Sequence, residues 1–148
     1  MGEEWTADVL ESLGRGFSVL HDLVPPGRRW NIDHVVVGRC GVVVVETKRW
    51  RGSVRVGRRG IWLDGRRRDD VGSQVAMQVD VVSRAVGASV PVRSFVCIHG
   101  ASVRRRWWAR RRPVGGPEEL VRWLRRLPAV LGRGQVDRTF AAFAGWER

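Results

Sequence analysis

The hydrophobic positions of the chain fall into segments whose spacing is first helical and then extended. Apolar residues within 3–14 recur at the spacing of a helix face, and Gly14 follows as a stop signal. Residues 17–24 alternate between apolar and polar, as in a half-buried strand. Residues 32–37 and 42–45 form two nearly continuous apolar runs, which are typical of buried strands. The pattern therefore predicts one helix followed by three strands.

The rest of the chain alternates between strands and helices. The predicted segments are a second hairpin at 53–65, a helix at 71–87, a buried strand at 92–100, a single basic strand at 104–114, a helix that begins at Pro117 and a short helix within 137–148. A helix, a run of strands and then helix, strand, helix predicts an α/β fold with a mixed central sheet flanked by helices.

Length and composition predict one domain. A chain of 148 residues with 43% hydrophobic residues can bury a core of its own. We expect a single domain over residues 1–148, with a core at about 2–130 and a helical C-terminal tail at 134–148. The first residues are acidic and polar, and no apolar run approaches the roughly 18 residues of a membrane span, so we expect a cytoplasmic protein. Cys40 and Cys97 lack metal-site spacing and are interpreted as core residues.

The formal net charge of +12 favours a polyanionic partner. Nucleic acid is preferred over a membrane surface, because no amphipathic basic helix with an exposed apolar face is evident. All of the 27 basic residues except Lys48 are arginines, and so complete a bias reduces the significance of any arginine cluster. The same bias makes the one lysine a candidate functional residue.

Two acidic residues interrupt the apolar strands that flank a short turn. If Arg39 and Cys40 form a two-residue loop, Asp33 lies opposite Glu46 on the paired strand, whereas a longer loop would separate them. Lys48 lies two residues beyond Glu46 and therefore on the same sheet face. The sequence thus predicts that three charged side chains meet at one end of an apolar hairpin.

Two interpretations of this charged cluster remain open. In the first, both carboxylates bind a hard divalent cation, which relieves their mutual repulsion. The substitution Glu46→Gln should then leave stability in metal-free buffer unchanged or raise it. In the second, Lys48 merely neutralises Asp33 and Glu46, and the same substitution should destabilise the protein. Clusters of this kind are more often functional than structural.

Several short segments of the chain also resemble a known family. "GEE" in the first helix, "NIDHVVVG" and "GVVVVETKRWRG" are similar to the nuclease-related domain, abbreviated NERD, a branch of the PD-(D/E)xK nuclease superfamily. "VCIHGA" and "LVRWLRRLP" are similar to the later strand and helix of that family, so the resemblance covers roughly the whole chain. It implies a restriction-endonuclease-like fold and a nuclease-like hydrolase that acts in DNA processing.

The resemblance assigns roles to individual residues. Asp33 corresponds to the superfamily aspartate, Glu46 and Lys48 to the E-x-K pair, and Glu3 to the acidic residue of the first helix. Many members also carry a glutamine on the helix after the second hairpin. The glutamines Gln74 and Gln78 lie one turn apart, and Gln74 is preferred.

The implied chemistry is phosphodiester hydrolysis assisted by Mg²⁺, with Mn²⁺ as an alternative. Asp33 and Glu46 are expected to hold the metal, with the carbonyl of Thr47 as a possible third ligand, and Lys48 to orient the attacking water. His34 points to the opposite face of the strand and is interpreted as a packed histidine. The alternative function is a catalytically weak module that binds nucleic acid or a partner protein.

Candidate substrate contacts lie in two regions. Arginine neutralises phosphate and indole can stack on bases, which suits nucleic acid, DNA more than RNA. One region directly follows the E-x-K pair, at Trp50 and Arg51. The other region comprises Arg104, Arg105, Arg106, Trp107, Arg110, Arg111 and Arg112.

Overall fold

A computed structural model of the protein describes residues 2–57, 59–103, 107–108 and 112–148. Among these, residues 2–3, 102–103, 107–108 and 112 are described by their backbone alone. In chain order, the elements are α1 (Gly2–Glu11), β1 (Phe17–Leu23), β2 (Ile32–Gly38), β3 (Gly41–Arg49), β4 (Ser53–Gly57), β5 (Gly60–Leu63), β6 (Arg66–Arg67), α2 (Asp69–Val86), β7 (Val92–His99), β8 (Ser102–Val103), β9 (Trp107–Trp108), β10 (Arg112–Gly115), α3 (Pro117–Arg126) and α4 (Arg133–Ala141).

The predicted mixed α/β fold is confirmed. The large sheet has the strand order β1-β2-β3-β7-β10-β9, and a second sheet has the order β6-β5-β4-β8. The first three strands of the large sheet are antiparallel, whereas β7 pairs in parallel with both β3 and β10. The small sheet and α2 together form the connection from β3 to its parallel neighbour β7, so α2 is brought back across the large sheet.

Helices cover both faces of the large sheet. On one face, Val43, Val45 and Cys97 pack with Leu10 of α1 and Leu120 of α3. On the other face, Val42 and Val44 pack with Val82 of α2 and with Phe143, which follows α4. Successive side chains of a strand point to opposite faces, so β3, which is buried from Gly41 to Thr47, serves both cores.

The hairpin of β2 and β3 has the register that the sequence predicts. Gly38 pairs with Gly41, which leaves Arg39 and Cys40 as the two-residue loop. Gly41 has φ +104°, and a Cβ atom at this position would lie 2.3 Å from the carbonyl oxygen of Pro91. A glycine is therefore required where the loop passes the start of β7.

Several sequence predictions of local structure are wrong. The arginine-rich segment 104–114 is not one strand: β9 and β10 are two short strands that pair with each other in antiparallel fashion. The strands β6 and β8 have two residues each, which is too short for an alternating pattern to be recognised in the sequence. The last helix begins at Arg133, and Phe143 after it packs in the core. The Val24 N–H also donates to the Glu147 carbonyl over 2.8 Å.

The helices of the described part of the chain include none that is both long and apolar enough to cross a membrane.

Candidate functional site

The centre of the candidate site is an ion pair at the end of β3. Lys48 Nζ lies 3.2 Å from Glu46 Oε1. The side chain of Glu46 is 4% exposed and that of Lys48 is 21% exposed, so the carboxylate is buried and the ammonium is open on one side to solvent. The two residues are separated by one position on a strand, which places both on the sheet face that α2 covers.

Two glutamines of α2 complete the contacts of this pair. Lys48 Nζ donates to Gln74 Oε1 over 3.3 Å. Gln78 Nε2 donates to Glu46 Oε2 over 2.9 Å. Residues four apart on a helix lie on one face, so one helix meets the two charged residues with two amides. The sequence offered these glutamines as alternatives, and the tertiary structure brings both of them to the cluster.

Asp33 is held beside this pair by the backbone of the neighbouring strand. The ladder between β2 and β3 ends at His34 and Val45, one position before the predicted pairing of Asp33 with Glu46. Beyond that point the Thr47 N–H donates to Asp33 Oδ2 over 2.9 Å. The aspartate is 7% exposed, so its carboxylate is buried with those of the other site residues. This contact fixes Asp33 and ties it to the strand that carries Glu46 and Lys48.

On the opposite sheet face, Thr47 anchors the site to α1. Thr47 Oγ1 donates to Thr6 Oγ1 over 3.2 Å, and Thr6 in turn contacts His99 Nε2. Burial, together with the charge of Arg49, lowers the pKa of His99, which favours a neutral ring in this contact. The sequence carries no signal for Thr6, because a threonine within a helix is unremarkable until its neighbours are known.

The edge of the site is formed by residues at the start of α2. The Arg68 guanidinium lies over the Trp50 ring, 4.8 Å from its centroid, and donates two hydrogen bonds to the Asp70 carboxylate. The hydrogen bond from Arg68, with a smaller contribution from the charge of Lys48, lowers the pKa of Asp70. Arg68 therefore holds Asp70 and covers Trp50 at the start of α2.

The predicted position of Trp50 at the border of a cleft needs correction. Trp50 is 8% exposed and packs in the core with Val54 and Ile98, while Arg68 covers its ring. A base therefore has no open indole face to stack on at this position. Arg51, the next residue, is exposed.

His34 lies in a separate pair on the α1 side of the sheet. Its Nδ1 is 2.8 Å from Nδ1 of His21, whose Nε2 lies 3.0 Å from Glu11 Oε1. Burial, followed by the charges of His21 and His99, lowers the pKa of His34 to about 3. The geometry agrees with the prediction that His34 is a packed histidine.

Other predicted site residues lie outside the described structure. Arg104, Arg105, Arg106, Arg110 and Arg111 are not described. Trp107 and Arg112 lie in β9 and β10 and Glu3 lies in α1, but their side chains are not described. Their roles remain predictions.

The donor atoms of the site fit a hard cation such as Mg²⁺. Asp33 and Glu46 contribute carboxylate oxygens, and Gln78 Oε1 is buried without a hydrogen-bond partner in the described part of the chain. Mg²⁺ is usually held by one or two carboxylates, with water and substrate phosphates at its other positions. No three His, Cys, Asp or Glu side chains of the described residues are grouped so that they could hold a metal, so the site does not resemble a zinc centre. The oxygen-only donor set is compatible with Mg²⁺ or Mn²⁺.

The residues of the candidate site lie in a part of the chain that matches a known family. The model of a family described as "Nuclease-related domain" matches residues 1–99, which include β2, β3, α2 and β7. No curated protein matches the chain.

Proposed function

Because this chain belongs to the nuclease-related domain family, we propose that it hydrolyses phosphodiester bonds of DNA with the help of a Mg²⁺ ion. One observation carries the proposal: the Lys48 ammonium is held between Glu46 Oε1 and Gln74 Oε1, beside a second buried carboxylate at Asp33. The other basic residues of the chain, apart from histidine, are all arginines. A lysine that is fixed beside a buried acid therefore indicates a chemical requirement for lysine at this position.

Asp33 and Glu46 are the residues that would hold the metal, with the Thr47 carbonyl as a possible further ligand. A bound Mg²⁺ supplies Lewis-acid stabilisation of the negative charge on the phosphate and lowers the pKa of a water molecule. The protein keeps the two carboxylates in place through Thr47 N–H and Gln78 Nε2. Fixed ligands of this kind limit reorganisation during the reaction.

Lys48 is assigned to orient the attacking water and to contact the scissile phosphate. Its side chain is 21% exposed, so a substrate can approach this side of the cluster. Gln74 holds this ammonium by accepting a hydrogen bond from it. An ammonium is a compact charge with three donors, whereas a guanidinium is planar and larger, so arginine is a poor substitute in this space.

The net charge of +12 supports a polyanionic substrate, and the proposal names DNA before RNA. One observation favours the alternative, a binding module without turnover: both Glu46 oxygens already have partners, Lys48 at one and Gln78 at the other. A metal at Glu46 would use the remaining lone pair of one of these oxygens or replace one of the two partners.

The test combines cleavage and binding measurements on Lys48→Arg. Fluorescently labelled DNA and RNA are incubated with Mg²⁺ and purified protein, and binding is measured separately in EDTA. We expect the variant to bind DNA as the parent protein does and to lose at least about a hundredfold in cleavage rate, the usual scale for acid–base and positioning groups. Arg49→Lys is the matched control, because it is the reverse exchange at an adjacent exposed position.

Asp33→Asn provides the second arm. Its amide oxygen can still accept the hydrogen bond from the Thr47 N–H, so the fold should persist while the metal-binding charge is lost. Cleavage that survives in Asp33→Asn, or that is equal in Lys48→Arg and the parent, would refute the assigned roles. Binding of DNA without cleavage by the parent protein under any divalent metal would favour the binding module.

A further inference from the structure

The small sheet carries a row of cationic and aromatic side chains on its outer face. Arg55 of β4 pairs directly with Trp62 of β5, and Trp62 pairs directly with Arg67 of β6. The two guanidinium carbons lie 4.4 Å and 5.8 Å from the centroid of the indole ring. We call Arg55, Trp62 and Arg67 the arginine–tryptophan row.

The inner face of the same sheet belongs to the core. Val54, Val56 and Ile61 are buried and pack against Val71 and Val75 of α2. Strand side chains alternate between the two faces, so Arg55 on β4 and Trp62 on β5 point outward. Arg55 and Arg67 are accordingly exposed, and Trp62 is partly exposed. The row is therefore a surface feature with a rigid support.

Arg67 is fixed in position by three contacts. It stacks on Trp62, its Nη2 donates to the carbonyl of Arg59 over 2.6 Å, and its Nε contacts Asp69. Arg55 has no carboxylate within ion-pair distance in the described part of the chain. Residues 53–70 contain six arginines and three aspartates, so this face retains excess positive charge.

The arrangement has little value for stability alone. Exposed cation–π contacts contribute about 0.5–1 kcal/mol each, and two guanidiniums on one indole place like charges near each other. The arginine bias of the chain explains the number of arginines, but it does not explain why two of them lie in direct register with a tryptophan. Charge complementarity with a polyanion accounts for both features.

The row is connected to the edge of the charged cluster through the chain at the end of β6. Arg67 and Arg68 are consecutive residues, and their guanidiniums lie over different tryptophans, Trp62 and Trp50 respectively. Arg68 binds Asp70, whose pKa is lowered by that contact and by the charge of Lys48. Arg68 thus links the strand that carries Arg67 to Trp50 and to the start of α2.

We propose that the arginine–tryptophan row binds the sugar–phosphate backbone of the nucleic acid whose scissile bond reaches Lys48. Neighbouring strands are about 4.8 Å apart, so the backbones of Arg55 and Arg67 are separated by about 10 Å, the axial rise of about three nucleotides. The two guanidiniums, which lie 4.4 Å and 5.8 Å from one ring centroid, can bind neighbouring phosphates, and the indole between them supports both side chains. The inference depends on the proposed function only for the identity of the polymer.

The experiment measures binding without cleavage. Fluorescence anisotropy of labelled single-stranded and duplex DNA is recorded in EDTA between about 50 and 200 mM salt, where phosphate contacts change affinity most clearly. The test variant is Arg55→Gln/Arg67→Gln, and its charge-preserving partner is Arg55→Lys/Arg67→Lys. We expect the glutamine variant to bind at least about tenfold more weakly, with a salt slope reduced by about one to two, and the lysine variant to keep most of that slope.

The matched control is Arg84→Gln/Arg138→Gln on the helices. It removes the same charge and, like the test variant, breaks one ion pair, since Arg84 contacts Asp80 as Arg67 contacts Asp69. Equal effects of the control and test variants on affinity and salt slope would overturn the proposal. So would loss of binding to phosphatidylserine vesicles by the test variant while its DNA binding is unchanged.

The outcomes separate this proposal from the proposed function. If the row variant loses DNA binding and the parent protein shows no cleavage, the row stands and the catalytic assignment fails. If the parent cleaves DNA and the row variant binds and cleaves normally, the row is refuted and the catalytic assignment stands. If the parent protein binds neither form of DNA, the row proposal is overturned together with the assigned substrate.

Discussion

Replacing Glu46 by glutamine tests how the charged cluster is held together. Glu46 is 3% exposed, and its two oxygens meet two donors, the Lys48 ammonium at 3.2 Å and the Gln78 amide at 2.9 Å. Glutamine has the same shape but carries no charge, so the partly buried Lys48 ammonium loses its counter-charge. We therefore expect Glu46→Gln to destabilise the protein, as the sequence predicts if Lys48 neutralises the carboxylates, whereas carboxylate repulsion alone, the other interpretation, gives no loss.

The size of the effect follows from burial. A buried polar group without a partner costs about 1–3 kcal/mol, and breaking a fully buried ion pair costs about 3–5 kcal/mol. Lys48 is 21% exposed, so water can replace part of the lost contact. We expect a decrease of about 2 kcal/mol in the free energy of unfolding, which corresponds to roughly 4–8 °C in Tm for a chain of this size.

The assay is urea unfolding followed by tryptophan fluorescence, first in EDTA and then with Mg²⁺. Mg²⁺ that binds the native state stabilises it by mass action, by about 2.7 kcal/mol at a hundred times its Kd. Glu46→Gln removes one of the two proposed carboxylate ligands, so its stability should respond to Mg²⁺ much less than that of the parent protein.

Asp80→Asn is the matched control. It makes the same change from acid to amide in an ion pair, but Asp80 and Arg84 are 59% and 78% exposed, so the expected loss is below about 0.5 kcal/mol. A Glu46→Gln protein that is as stable as Asp80→Asn in EDTA would refute the inferred packing of the cluster. If Mg²⁺ does not change the free energy of unfolding of the parent protein, the proposed metal site is refuted independently of the packing.

Two further predictions concern stability. The pKa of His34 is lowered to about 3 from 6.5, so the unfolded chain binds an extra proton below pH 6.5, and stability that is present above this pH is lost as the pH falls toward 3. We expect a loss on the order of 3 kcal/mol between about pH 7 and 4 from this residue, and urea unfolding of His34→Gln should show a pH slope smaller by about one proton, whereas an unchanged slope contradicts the assignment. At Gly41, Gly41→Ala should cost more than about 2 kcal/mol in the same unfolding assay, because the added Cβ meets the Pro91 carbonyl at 2.3 Å. Gly16→Ala is its control, with φ +95° and no atom within 4 Å, and equal losses in the two variants would show that backbone strain alone matters.

The sequence by itself determined the hairpin and the identity of the charged residues. A two-residue loop between glycines fixes the register of β2 and β3, and the period of two in a strand then places Glu46 and Lys48 on one face. These are local rules, which operate over a few residues and do not depend on the rest of the fold. The mixed α/β architecture was predictable for the same reason, since it follows from the order of periodic segments.

Only the tertiary structure decided which side chains meet this cluster. The rotation of α2 about its axis brings Gln74 to Lys48 and Gln78 to Glu46, and it is set by packing against β7 and the small sheet, which are distant in sequence. The burial of Trp50 likewise depends on how the small sheet docks. The pattern of a strand specifies which of its residues share a face. Which residues pack against that face depends on contacts with segments that are distant in sequence, and the pattern of one strand carries no information about them.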